Sequence, residues 1–161
     1  MSRRLTEALA LAAVWAATVY GSYLGTYVLL GWTWGQTLFV AGIPFAIGAA
    51  MAGFITAFLL IGRKTRADSV QRFSRFFGLL FGLTLALTAL IFVLSFRSYF
   101  STWHEPFLSV PWLFQTFFTT LAAVFLFLGT ALKVFVGLPF IVALILSFAF
   151  TRGALDRRKV R

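Results

Sequence analysis

The sequence predicts an all-α integral membrane protein: a polytopic bundle of four transmembrane helices, five if the last apolar run divides, with no soluble domain. Of its 161 residues 61% are hydrophobic and only 11% charged, where a soluble domain is roughly half apolar and a quarter charged. Phe alone occurs 21 times and the mean hydropathy is +0.95, so no water-soluble fold of this length would hide that much apolar surface. The apolar residues also fall into runs longer than the roughly 20 residues that span a hydrocarbon core. Finally, the Lys and Arg residues sit at the ends of these runs, so the formal charge of +10 reads as membrane topology and not as a nucleic-acid surface. The chain contains no Cys, which excludes disulfides, iron–sulfur ligation and thiol redox chemistry.

The first run, about 5–30, follows Arg3 and Arg4. It is too long for the apolar region of a secretory signal, typically about 7–15 residues, and is read as the first span. After Gly31-Trp32-Thr33-Trp34-Gly35-Gln36 comes the second, about 37–62, and then the basic loop Arg63, Lys64, Arg66, Arg72 and Arg75. Such a loop is expected on the cytoplasmic side. The third run, about 76–96, leads into the polar stretch Arg97–Pro106, expected outside.

The fourth run, about 113–150, would measure roughly 57 Å as one helix against a core of roughly 30 Å. Either Trp112 to about Thr120 lies in the outer interface before a single long span, or the run is two spans turning near Gly129-Thr130-Ala131-Leu132-Lys133. An internal echo favours division: Gly42-Ile43-Pro44-Phe45 is matched by Gly137-Leu138-Pro139-Phe140. Charge favours four spans, which put twelve of the fourteen Lys and Arg inside, whereas five would split them eight and six. The expectation is therefore a multi-pass protein of the cell (inner or plasma) membrane with both termini cytoplasmic. Tyr20, Tyr23, Tyr27, Trp32, Trp34, Tyr99, Trp103 and Trp112 fall towards the outer side, as an aromatic belt does, and only Trp15 does not.

Helices in lipid associate through close backbone approach at small residues four apart. Gly21 with Gly25, Gly48 with Ala52, Ala49 with Gly53, and Gly78 with Gly82 have that spacing. They predict packing within the bundle, or a subunit contact, Gly21 and Gly25 being the first choice for the latter.

Lys133 is the candidate intramembrane site, because an ammonium near the bilayer centre costs on the order of 3 kcal/mol. Gly129, Lys133 and Gly137 stack at helical spacing, leaving room beside the charge, and Pro139 frees backbone groups nearby. A small anion, a lipid phosphate or a partner's carboxylate would fit. The structural alternative is a turn at Lys133, with the side chain snorkelling to the inner interface.

His104 and Glu105 form the only His–acid pair. Glu7, Asp68 and Asp156 are expected a membrane thickness away, so no catalytic constellation and no three-ligand metal set is legible. Cofactors are not readable. Arg63, Lys64, Arg66, Arg157, Arg158 and Lys159 are expected to contact anionic lipid. The function expected is a small non-enzymatic membrane protein, an accessory or assembly subunit of a larger membrane complex or a homo-oligomer. The alternative is a small transporter or channel with an anion or lipid site around Lys133.

Overall fold

The computed structural model describes residues 3–31, 35–61 and 68–159; for Arg3 and for 153–159 it describes the helical backbone alone. The described residues form five helices: α1 (Arg3–Leu29), α2 (Gln36–Leu60), α3 (Ser69–Ser101), α4 (Val110–Phe135) and α5 (Leu138–Lys159). Four of them, α1 to α4, are long and apolar enough to cross a membrane, while the apolar part of α5 is shorter. The protein is a membrane-spanning helical bundle.

Local chemistry sets the helix ends. α1 stops at Gly31, whose φ of 84° lies in the left-handed region and lets its N–H reach the Val28 carbonyl at 3.0 Å. Asp68 caps α3 by accepting the Gln71 N–H at 2.7 Å. Ser109 caps α4 through the Trp112 N–H at 3.2 Å, with proline in the first turn, where no N–H is missed. Leu108, at φ 66°, turns the chain into that cap, and it is the one non-glycine residue with positive φ among the described residues.

α1, α2 and α3 run up, down and up. On α1 and α2, Ala12 faces Gly53 while Tyr20 and Tyr23 face Gly42. On α2 and α3, Gly48 meets Thr88 and Phe45 meets Phe92. Parallel α1 and α3 are joined in the middle by Trp15 Nε1–H, which donates to Thr84 Oγ1 at 2.7 Å. One end of the bundle, the basic one, therefore carries the start of α1, the end of α2 and the start of α3, with Arg4, Arg72 and Arg75; the other, the aromatic one, carries the end of α1, the start of α2 and the loop between α3 and α4, with Tyr99 and Trp103.

The fourth apolar run divides at Val136–Gly137, not at Gly129–Lys133 as the two-span alternative expected, and it does not turn back. Ring pairs follow α3 downwards without reversal: Phe127 with Phe92, Phe135 with Phe81, Phe140 with Phe81 and Phe77, and Phe150 with Phe76. α5 thus continues the direction of α4 and returns the chain to the basic end. The cause of the break is Pro139, which has no N–H for the Phe135 carbonyl and whose ring collides with it. α4 ends at that residue. Trp112 to Thr120 belong to a helix that is continuous from Val110.

The Gly-X-Pro-Phe echo has two outcomes. Pro44 lies inside an unbroken α2, where Gly42 is clasped by the Tyr20 and Tyr23 rings and Phe45 is fully buried. Pro139 is buried too, but Gly137 faces open space, and Phe140, 40% exposed, meets the Phe77 and Phe81 rings of α3 edge-on. Phe45 is the centre of the core, ringed by Tyr23, Phe92, Phe127 and Phe135 with centroids 5.0–6.4 Å away. Such pairs contribute about 0.5–1.5 kcal/mol each beyond burial. In lipid that increment matters more than water exclusion, because the tails are as apolar as the rings.

Candidate functional site

Lys133 lies beside Val134, whose carbonyl accepts the Ser22 hydroxyl at 3.0 Å, and three residues from Thr130, which receives the Tyr27 hydroxyl at 3.2 Å. Ser22 is seven residues above Trp15 on α1, while Phe135 pairs with Phe81, three residues below Thr84 on α3, so the end of α4 lies across the Trp15–Thr84 level.

The buried face of α4 is Ala123, Phe127, Ala131, Val134 and Phe135. Lys133 points the other way and is exposed, with no hydrogen bond or ion pair among the described residues. Gly129 and Gly137 share that outward side, and a Cβ at either would meet nothing within 4 Å. The stack of glycine, lysine and glycine is present, but it opens away from the bundle. Exposed Phe125, Leu128, Leu132 and Val136 surround it. Pro139 belongs to the buried side and acts on the backbone instead.

The small-residue pairs separate into two kinds. Gly48, Ala49, Ala52 and Gly53 are buried. A Cβ on Gly48 would come 2.7 Å from the Thr88 Cα, and one on Gly53 would come 3.0 Å from the Ala12 Cα. Gly21, Gly25, Gly78 and Gly82 are exposed and open, so these four make no close contact among the described residues. Packing within the bundle holds for α2, and the other two pairs lie on its outer surface.

The aromatic belt is also divided. Trp103 and Tyr99 are exposed at the aromatic end, but Tyr23 is only 3% exposed and stacks on Phe45, so it belongs to the core. Tyr20 donates its hydroxyl to the Phe39 carbonyl at 3.2 Å. Trp32 and Trp34 lie outside the described residues.

His104 is partly buried with its Nε2 unpartnered, and the Glu105 N–H donates to Gln115 Oε1 at 2.9 Å. Asp68 sits at the opposite end of α3, whose 33 residues make about 50 Å of helix. Thr119 and Thr120 donate to the Gln115 and Thr116 carbonyls, both at 2.7 Å, which ties them to their own helix. Arg63, Lys64 and Arg66 lie outside the described residues, as do the side chains of Arg157, Arg158 and Lys159.

Two features escaped the sequence. The Ser22–Val134 bond has no local signal, because it joins residues 112 apart. The Trp15–Thr84 bond had one: Trp15 alone departs from the aromatic side, and an indole N–H inside a bilayer requires an acceptor. The chain matches no protein-family model, no curated protein and no solved structure.

Proposed function

We propose that this protein is a non-catalytic accessory or assembly subunit of a membrane complex, docking through the outward face of α4 around Lys133 onto a helix of another subunit or of a second copy. The observation that carries this reading is the exposure of Lys133 between two open glycines on a surface that otherwise suits lipid. An ammonium there needs an anion from outside the chain or a route to the interface. Glycine on both sides lets a second backbone approach closely enough for a carboxylate to reach it. A transport site would instead require Lys133 to face a path inside the bundle, and its position on α4 is the opposite. The basic end is read as cytoplasmic from its Arg and Lys content.

The test is the variant Lys133→Met, purified from native membranes in mild detergent beside the parent. The docking reading expects a folded protein that has lost a co-purifying membrane protein or a larger oligomer. An unchanged set of partners and an unchanged size would reject it.

A further inference from the structure

The level of Lys133 in the bundle restricts what can answer its charge. Trp15 and Thr84, joined by their hydrogen bond, each stand one residue from the midpoint of their helices, α1 (Arg3–Leu29) and α3 (Ser69–Ser101). The last turn of α4 lies across that level, tied on one side by the Ser22–Val134 bond and on the other by the Phe135–Phe81 ring pair. Lipid phosphates sit at the headgroups, roughly 15 Å from the middle of a hydrocarbon core about 30 Å thick. The stem of a lysine is too short to cover that distance.

The acids of this chain stand at other levels. Glu7 precedes Trp15 by eight residues, about 12 Å towards the basic end, and is already engaged in an interaction within its own chain. Asp68 is the cap of α3, sixteen residues or about 24 Å from Thr84. Glu105 lies beside Gln115, which is eighteen residues or about 27 Å before Lys133 along α4. Asp156 follows Lys133 by 23 residues, in the last part of α5. Copies of one chain share one orientation in the membrane, because the same basic residues set it. A second copy would therefore present its acids at these same levels, away from Lys133.

A carboxylate carried inside the membrane segment of a different protein meets both conditions. Gly129 and Gly137 lie four residues to either side of Lys133 on its exposed side, with nothing within 4 Å of a Cβ at either. A facing helix can come close there, so that the short side chain of an Asp or Glu reaches the ammonium. Surrounded by apolar side chains and away from water, a charged acceptor binds it more strongly than a neutral amide does.

We infer that the partner seated on the outward face of α4 is a transmembrane helix of a different protein, with one Asp or Glu in the middle of its membrane segment paired to Lys133. This inference rests on the docking reading and narrows it, since neither a second copy nor a lipid headgroup supplies the anion.

The probes are synthetic membrane-spanning Leu/Ala peptides with Asp, Asn or Leu at the centre and Gly four residues to either side. Energy transfer from each peptide to the full chain, labelled at its N-terminus, is measured in phosphatidylcholine vesicles. The Asp peptide is expected to associate severalfold more than the Asn and Leu peptides. Lys133→Met should bring it down to the level of the Leu peptide, and Lys133→Arg should keep the preference. If Lys133→Met unfolds, the parent's order of the three peptides and Lys133→Arg decide. Equal association of the three peptides with the parent would overturn the inference, as would an Asp preference that survives in Lys133→Met. Transfer between differently labelled copies of the chain that depends on Lys133, without any preference for Asp, would also overturn it while leaving the docking reading in place. Phosphatidylglycerol retained in native mass spectrometry by the parent but not by Lys133→Met, again without a preference for Asp, would assign the face to lipid and overturn both.

Discussion

The Ser22 hydroxyl donates to the Val134 carbonyl at 3.0 Å, joining the upper half of α1 to the last turn of α4. The final carbonyls of any helix lack an intrahelical partner, and inside a bilayer no water replaces it. The break imposed by Pro139 would leave the Val134 oxygen without a donor, and Ser22 supplies one from the neighbouring helix. Ser22→Ala should lower stability by about 1 kcal/mol, within the range measured for interhelical hydrogen bonds in bilayers. Thermal unfolding in detergent measures it, and an unchanged midpoint would show that the bond contributes nothing.

Pro139→Ala restores an N–H opposite the Phe135 carbonyl and removes the ring that collides with it. The prediction is a straighter, continuous α4–α5 helix, seen as slower amide hydrogen exchange across 136–140. Exchange as fast as in the parent would place the cause of the break elsewhere.

Gly48→Ala puts a methyl group 2.7 Å from the Thr88 backbone, where no flexible side chain can yield. Overpacking of this kind costs about 1–3 kcal/mol. Gly82→Leu faces open space and should leave the stability of the isolated chain unchanged. Equal melting temperatures for the two variants would contradict the division between buried and outward glycines.

Trp15→Phe removes the donor that satisfies Thr84 Oγ1 at the centre of the bundle, along with part of a fully buried ring. A loss of about 1–3 kcal/mol is expected, and the double variant Trp15→Phe with Thr84→Val should cost less than the sum of the two single changes. Strict additivity would mean that the two residues are not coupled.

Hydropathy located the membrane segments well, because it measures affinity for lipid, and α1 and α2 follow the runs 5–30 and 37–62 within about two residues. It did not find the ends of α3, which runs from Ser69 to Ser101 beyond the apolar stretch 76–96. Those ends are fixed by hydrogen bonding at Asp68 and by the loop before Ser109, neither of which depends on hydrophobicity. Pro139 was visible as a breaker, yet the same tetrapeptide at Pro44 leaves α2 intact. Packing on both flanks of α2 decides that difference, and it is absent from local sequence. At the candidate site the helical spacing of Gly129, Lys133 and Gly137 was legible, but its outward direction depends on which face of α4 meets α1 and α3. That choice comes from the Phe127, Val134 and Phe135 contacts.

The proposed path of four crossings, with the basic end cytoplasmic, would set the environment of Lys133, and the absence of native Cys permits a direct test of it. Single cysteines introduced as Trp103→Cys, at the exposed aromatic end, and Arg152→Cys, on exposed α5, are treated with a membrane-impermeant maleimide on intact and on permeabilised cells. The account predicts labelling of Trp103→Cys in intact cells and of Arg152→Cys only after permeabilisation. Labelling of Arg152→Cys from outside intact cells would contradict it.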